Sequence, residues 1–175
     1  MNRSMKAVCV PLLMVLLAGC AGVSARITEK SRSERSDVFS EIREDAPPAK
    51  GSVDLTVKAS VKTHVEGHYL IERPGTRHGA PEYPFVLNIG GQAVTWNVPG
   101  RLEDTTTTEA AGSVRAERGQ GMRYILSRRI RLRPGPHTVF FALPSEDVAR
   151  EIAVTLVNGE VTVLEFIPVY RRYGG

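Results

Sequence analysis

Apolar and polar residues alternate along the chain from Gly51 onward. Between residues 53 and 65 every odd position is apolar except Thr63, whereas the even positions carry polar or charged side chains. Successive side chains of a β-strand point to opposite faces of a sheet. This period of two therefore predicts a strand with one face on a core and the other in water.

A β-hairpin is predicted around Gly90-Gly91. The runs 84–89 and 92–98 flank these glycines, which tolerate the positive φ angles of tight hairpin turns. A two-residue turn fixes which residues face each other across the hairpin. The expected pairs are Leu87 with Val94, Phe85 with Trp96, and Tyr83 with Val98. All three pairs are apolar and share one face, which supports the hairpin.

Two further chain reversals are predicted in the last third of the sequence. Arg133-Pro134-Gly135-Pro136 separates the runs 122–132 and 137–143, and Asn158-Gly159 separates the runs 151–157 and 160–169. Proline and glycine favour tight reversals, and Asn-Gly is the strongest short hairpin signal. In the second hairpin Leu156 is expected to face Val161, and Val154 to face Val163.

These patterns predict an all-β fold for residues 51–175. About seven strands lie in roughly 120 residues, with turn signals at hairpin spacing and almost no helical periodicity. The expected architecture is an antiparallel two-sheet sandwich, which suits this pattern better than a closed barrel. The polar stretch between Pro99 and Gly121 is expected to be a mobile loop, with a preformed binding site as the alternative.

The first twenty residues have a different pattern. Arg3 and Lys6 precede an apolar run of twelve residues, Ala7 to Ala18. As a helix this run would cover about 18 Å, well short of the ~30 Å hydrocarbon core of a bilayer. It therefore reads as a secretory signal rather than a membrane span.

The run ends in Leu17-Ala18-Gly19-Cys20, which resembles the bacterial lipobox. The resemblance implies that Cys20 receives a thioether-linked diacylglycerol and becomes the new amino terminus after cleavage. Ala21 in the next position implies sorting to the outer membrane, facing the periplasm. The alternative is an ordinary cleaved signal with a cysteine at its cleavage site. Since the only other cysteine, Cys9, leaves with the signal, no disulfide is expected within the mature chain.

The sequence thus divides into three parts. Residues 1–19 are the predicted signal, 20–50 the lipidated cysteine and a flexible tether, and 51–175 the β domain. The stretch from Ala21 to Lys50 holds six basic and six acidic residues with few apolar ones, which is typical of a solvated linker. Alternatively, Val38, Phe39 and Ile42 line a short helix that docks on the domain or on a partner.

Basic residues are concentrated in one part of the domain. The formal net charge of the chain is only +4, yet residues 115–133 contain seven arginines and one glutamate. Arg129, Arg131 and Arg133 alternate with Ile130 and Leu132, which places three guanidinium groups on one face of a strand. Such a row suits phosphate or carboxylate ligands. The alternative is a solvated face that is partly neutralised by cross-strand acids.

A metal site is a further candidate. His64, Glu66 and His68 fall on the polar face of the first strand if it stays extended through Gly67, and imidazole with carboxylate suits Zn²⁺. Gly67 argues against it, because glycine often ends or bulges a strand. Isolated surface histidines are the alternative reading, and no metal or other cofactor is expected.

The sequence carries no catalytic motif of the common kinds, neither G-x-S-x-G nor H-E-x-x-H nor a phosphate-binding glycine loop. The run from Ile130 to Val139, followed by Asn158-Gly159, resembles PEGA-like sandwich domains, which implies a binding or scaffolding module. We therefore expect a non-enzymatic, lipid-anchored envelope protein with a structural or protein-binding domain. The alternative is a receptor for an anionic ligand or envelope polymer. Nucleic acid is not an expected partner, because the signal directs the chain out of the cytoplasm.

Overall fold

The computed structural model describes residues 22–47, 49–65, 75–105, 119–158 and 160–167, and 61% of them lie in strands. Among these residues, one α-helix, eight strands and one 3₁₀ turn (Pro144–Glu146) follow each other along the chain. They are α1 (Val23–Lys30), β1 (Phe39–Ile42), β2 (Val53–Thr63), β3 (Glu82–Ile89), β4 (Gln92–Thr105), β5 (Gly119–Leu132), β6 (Gly135–Leu143), β7 (Val148–Leu156) and β8 (Val161–Phe166). The all-β class predicted from the sequence is confirmed.

The two local predictions with the clearest patterns are also confirmed. Strand β2 covers the alternating run, and its odd-numbered side chains from Val53 to Val61 are buried. Strands β3 and β4 form the hairpin around Gly90-Gly91, and all three expected facing pairs occur in the observed register. Both glycines have positive φ angles, at 57° and 90°, as the turn requires.

The strands form one sheet in the order β7-β6-β3-β4-β5-β2-β8, and β1 pairs with β5 beside this path. The sheet is nearly closed and has barrel-like curvature. We call β7, β6, β3 and the first part of β4 the β3 half, and the remaining strands with the second part of β4 the β5 half. Side chains from both halves, such as Leu55, Phe85 and Tyr124, are fully buried in one common core.

Strand β4 joins the two halves. Its first part pairs with β3 as far as Pro99, and its second part pairs with β5 from Gly100 onward. The change of partner occurs where the backbone approaches its neighbours closely, since a Cβ atom on Gly100 would lie 2.6 Å from Met122 Cγ and 2.7 Å from Tyr124 Cε1. Only glycine fits this position without displacing a neighbour.

Strand β1 covers the part of β5 that β4 leaves. It pairs antiparallel with β5 from Phe39 opposite Leu132 to Ile42 opposite Arg129, and Phe39 enters the core at 7% exposure. The side chain of Gln92 accepts hydrogen bonds from the Val38 and Phe39 amides and donates one to the Phe39 carbonyl. This segment is thus a strand of the sheet, neither a free tether nor a docked helix.

Helix α1 covers the outer face of the β3 half. Ile27 is 5% exposed and packs with Val86, Phe140 and Ala142 in a second apolar cluster outside the main core. The helix is also held by its ends, because Ser24 Oγ donates to Asp147 Oδ1 and Asn88 Nδ2 donates to the Lys30 carbonyl.

The boundary predicted at residue 50 therefore changes. Residues 22–47, which we call the amino-terminal segment, are packed along both halves of the sheet. A low content of apolar residues suggested a linker, but Ile27 and Phe39 each fill a specific apolar site that the strands leave open. The buried side chains of Ile27 and Phe39, together with many polar contacts, order the amino-terminal segment.

Two connections predicted as hairpins are wrong. Strand β5 pairs with β1, β2 and β4, whereas β6 pairs with β3 and β7, so the Arg133–Pro136 connection runs from one half to the other. Strand β7 pairs with β6, whereas β8 pairs with β2 in parallel, so Leu156 and Val154 do not face Val161 and Val163. Turn residues favour a chain reversal, but they do not decide whether the next strand pairs with the strand before it. The parallel pair also corrects the expectation of a wholly antiparallel sheet.

Candidate functional site

The arginine row expected to bind an anion is held by groups of the protein itself. Arg131 lies opposite Asp54 in the β2–β5 ladder, and its Nε donates to Asp54 Oδ1 at 2.7 Å. Arg129 Nη2 donates to Asp54 Oδ2 at 2.6 Å. The Asp54 side chain is 9% exposed, and the two arginine side chains are 18% and 20% exposed. One carboxylate thus accepts hydrogen bonds from two guanidinium groups in a partly desolvated setting.

The same two arginines bind the end of the amino-terminal segment. Arg129 Nη1 donates to the carbonyls of Glu44 and Ala46 at 2.7 and 2.9 Å, and Arg131 Nη2 donates to the carbonyl of Pro47 at 2.6 Å. The planar guanidinium group can serve a carboxylate and a carbonyl at once, which lysine cannot do in this geometry. We call this arrangement of Asp54, Arg129 and Arg131 the arginine clamp.

The contacts of Asp54 favour the charged form of its carboxyl group in the folded protein. The hydrogen bonds from Arg131 lower the pKa of its carboxyl group below the ordinary value, with a further lowering by Arg129, although burial acts in the opposite direction. Hydrogen bonding to the ionised form is thus the dominant cause.

The structure accordingly favours the alternative in which a cross-strand acid partly neutralises the arginine row, although Arg129 and Arg131 are largely buried and not solvated. Arg129 and Arg131 are occupied by the clamp, while Arg133 is exposed beyond the end of β5 and exerts an electrostatic influence on Asp37. The three side chains do not form one open anion site. The sequence did not single out Asp54, which looked like any polar residue of the alternating strand.

Of the three candidate metal ligands, the structure describes His64 alone. His64 directly follows β2, and its ring meets that of His78 edge-on with a centroid distance of 4.5 Å. Glu66 and His68 lie outside the described residues. Within the part of the chain that the structure describes, no group of three or more His, Cys, Asp or Glu side chains is arranged to hold a metal ion.

A polar cluster that the sequence did not predict surrounds Glu146. Its Oε1 atom accepts a hydrogen bond from the buried Tyr83 hydroxyl at 2.8 Å and lies 2.7 Å from His78 Nε2. Glu146 lies 63 positions from Tyr83 and 68 from His78 in the sequence, so no local pattern pointed to the cluster.

The loop that carries His78 is fastened to the same end of the sheet. The Gly79 amide donates to Thr63 Oγ1, and the Tyr124 hydroxyl donates to the Ala80 carbonyl at 2.7 Å. Burial raises the pKa of Tyr124, so its hydroxyl remains a donor at neutral pH. We infer that the Glu146 cluster holds the loop in place.

We expect a Glu146→Ala variant to lose about 1–2 kcal/mol of unfolding free energy, because Tyr83 and His78 both lose their acceptor. Urea denaturation measures the change. Glu82→Ala removes an exposed glutamate beside Tyr83 and should change stability by less than about 0.5 kcal/mol. Equal stability of the two variants would show that the cluster does not hold the fold together.

Strands β7 and β8 are the two edge strands of the sheet, because they stand at the two ends of its strand order. Among the described strands, none pairs with the second edge of either one. Leu156 of β7 is fully buried in the core, but four other core-facing side chains of the two strands are only partly buried, namely Ile152, Val154, Leu164 and Phe166. The outward valines of β8 are exposed, with Val161 at 77% and Val163 at 49%. We call this region the β7–β8 gap.

Two remaining predictions concern segments that the structure describes in part or not at all. The expected loop between Pro99 and Gly121 is shorter, since β4 continues to Thr105 and β5 begins at Gly119. Residues 106–118 lie outside the described residues, and so does Cys20 with the whole predicted signal. No helix in the described part of the chain has the length and apolar character needed to span a membrane.

Comparison of the chain with protein-family models, with curated proteins and with solved structures finds no match. The functional conclusion therefore rests on the residues and the geometry of this chain.

Proposed function

We propose that this protein is a lipid-anchored component of the bacterial cell envelope, with its lipid on Cys20 and its folded domain in the periplasm at the outer membrane. The domain acts as a non-catalytic structural or protein-binding module. The lipobox-like sequence Leu17-Ala18-Gly19-Cys20 supports the anchor. Acyl chains contribute ~0.8 kcal/mol per buried CH₂ group, so several chains hold a protein stably at a membrane.

The β7–β8 gap is the observation that carries the binding role. A strand of another protein placed in the gap would pair with an open edge and cover the partly exposed core side chains Leu164 and Phe166. Addition of a strand to an exposed sheet edge is a common way for proteins to bind extended segments. A strand edge that none of the described strands pairs with, and that exposes valines, otherwise invites aggregation, which favours a natural partner at this place.

The proposal includes the finer fold assignment. The two halves of the sheet enclose one core and are joined by β4, which is consistent with a two-sheet sandwich of the immunoglobulin-like or PEGA-like kind. Partial closure of the path gives the observed curvature.

The anchor is tested by a Cys20→Ala variant, which should move from the membrane fraction to the soluble fraction and lose the mass of the lipid. Cys9→Ala is the matched control, because Cys9 lies inside the predicted signal and should leave both properties unchanged. Membrane retention of the Cys20→Ala protein would overturn the anchor.

The binding role is tested by a substitution that places a charged side chain on β8, at the edge that borders the β7–β8 gap. Crosslinking in intact cells should link the wild-type protein to an envelope partner, and Val163→Lys should abolish that product without changing the melting temperature. Thr95→Lys places the same charge on an exposed position of β4 and should keep the product. A product that survives the Val163→Lys change would exclude the β7–β8 gap as the binding surface.

A further inference from the structure

The distance between the proposed anchor and the folded domain is short. Only Ala21 and Gly22 separate Cys20 from Val23, where α1 begins. Three Cα-to-Cα steps span at most about 11 Å, because an extended chain covers no more than ~3.6 Å per residue. A lipid on Cys20 would therefore keep the beginning of α1 within about 11 Å of the membrane surface.

Helix α1 cannot serve as a swinging arm without breaking contacts with the sheet. Ile27 is buried against the β3 half, Ser24 Oγ donates to Asp147 Oδ1 at 2.6 Å, and Arg26 lies 3.6 Å from Glu151. The Gly22 carbonyl accepts hydrogen bonds from the Ala25 and Arg26 amides, so helical bonding starts two residues after Cys20. A lipid on Cys20 would thus restrict the position of the whole domain relative to the membrane, because α1 is packed against the sheet.

The surface next to this end of the helix is compatible with lipid headgroups. Val23 is 41% exposed and Val148 is 48% exposed, and they adjoin the two residues of the Ser24–Asp147 hydrogen bond. Exposed apolar side chains of this kind gain free energy when they leave water at a bilayer interface.

From these observations we propose that the domain docks on the bilayer that holds its own lipid, with the beginning of α1 and the beginning of β7 facing the headgroups. This inference rests on the proposed lipidation of Cys20. Strand β7 rises about 3.3 Å per residue, so Val157 lies roughly 30 Å along the chain from Val148. The opposite end of β7 and the start of β8 are then free to extend toward a partner.

Val148 and Val157 form a matched pair for the test, because each is 48% exposed and they lie at opposite ends of β7. With Cys20 lipidated and Cys9 removed with the signal, Val148→Cys and Val157→Cys each give one reactive thiol. The purified lipidated variants carry a fluorophore on this thiol and are reconstituted in vesicles of phosphatidylethanolamine and phosphatidylglycerol. A small fraction of the lipids carries a nitroxide quencher on the headgroup.

We expect several-fold stronger quenching at position 148 than at position 157. A flexible Gly-Ser insertion of about 20 residues between Ala21 and Gly22 should remove most of that difference, because such a linker behaves as a random coil. Equal quenching at the two positions without the insertion would overturn the docking, and so would quenching at position 148 that ignores the insertion.

Flotation of the vesicles and the intact mass of the protein separate the two proposals. Protein that lacks the lipid mass and does not float contradicts the anchor itself. Protein that carries the lipid and floats, yet shows equal quenching, contradicts only the docking of this surface.

Discussion

A Phe39→Ala variant is expected to lose about 3 kcal/mol of unfolding free energy. Phe39 is 7% exposed in the main core, and truncation of a buried phenylalanine leaves a cavity that the surrounding strands fill only in part. The loss would be large for a residue that lies in a charged, linker-like part of the sequence. Urea denaturation followed by circular dichroism gives the magnitude.

Ser40→Ala is the control for Phe39, since Ser40 is an exposed neighbour on the same strand. Its effect should stay within about 0.5 kcal/mol. Hydrogen exchange adds a second measurement, because the paired backbone of β1 should be protected in the wild-type protein. If the Phe39→Ala variant is as stable as the wild type and the β1 amides are not protected from exchange, residues 31–47 form a flexible linker after all.

An Asp54→Ala variant is expected to lose about 1.5–3 kcal/mol of unfolding free energy, the range for hydrogen bonds to charged groups. The change leaves Arg129 and Arg131, which are each about four-fifths buried, without their shared carboxylate. Loss of the clamp should also weaken the hold on residues 44–47. Asp104→Ala removes an exposed acid from β4 and should be nearly neutral. Equal stability of the two variants would contradict the clamp.

The pH dependence of the clamp follows from the lowered pKa of Asp54. An unfolded aspartate titrates near pH ~3.9, whereas the folded carboxyl group keeps its charge to lower pH. The stabilisation is therefore complete above about pH 4 and is lost as the pH falls through the folded-state pKa. The stability difference between wild type and Asp54→Asn should shrink over that acidic range, and a constant difference from pH 7 to pH 2 would contradict this assignment.

The amino-terminal segment connects the fold with the proposed anchor. The clamp and Phe39 hold its second part, and Ile27 holds its helix, so the segment has fixed contacts along both halves of the sheet. A lipid on Cys20 would consequently position the domain itself and not the end of a long tether.

Local patterns predicted the seven strands that follow Gly51 and one register, but not α1 or β1. Alternation identified β2, and the Gly90-Gly91 turn determined every facing pair of the β3–β4 hairpin. These features depend on neighbours in sequence, on the pleat of a strand and on the φ angles that glycine allows. Arg129 and Arg131 of the predicted arginine row lie on one face of β5, whereas Arg133 lies beyond its end.

The residues and strands that these elements contact are distant from them in sequence, so local patterns did not predict the contacts. The sequence located Arg129 and Arg131 but not Asp54, and it located Phe39 but not the open edge of β5 that the phenylalanine covers. Glu146, His78 and Tyr83 meet only because the chain returns to the same end of the sheet. Contacts of this kind follow from the sheet order, which turn residues do not encode.

The sequence by itself determined the strand-rich class and the β3–β4 register, because each depends on a short run of residues. Only the tertiary structure decided that residues 22–47 belong to the fold, that β8 pairs in parallel with β2, and that Arg129 and Arg131 share the carboxylate of Asp54. The reason is physical: burial and ion pairing are properties of surfaces that come together, and their free energy depends on which strand lies beside which.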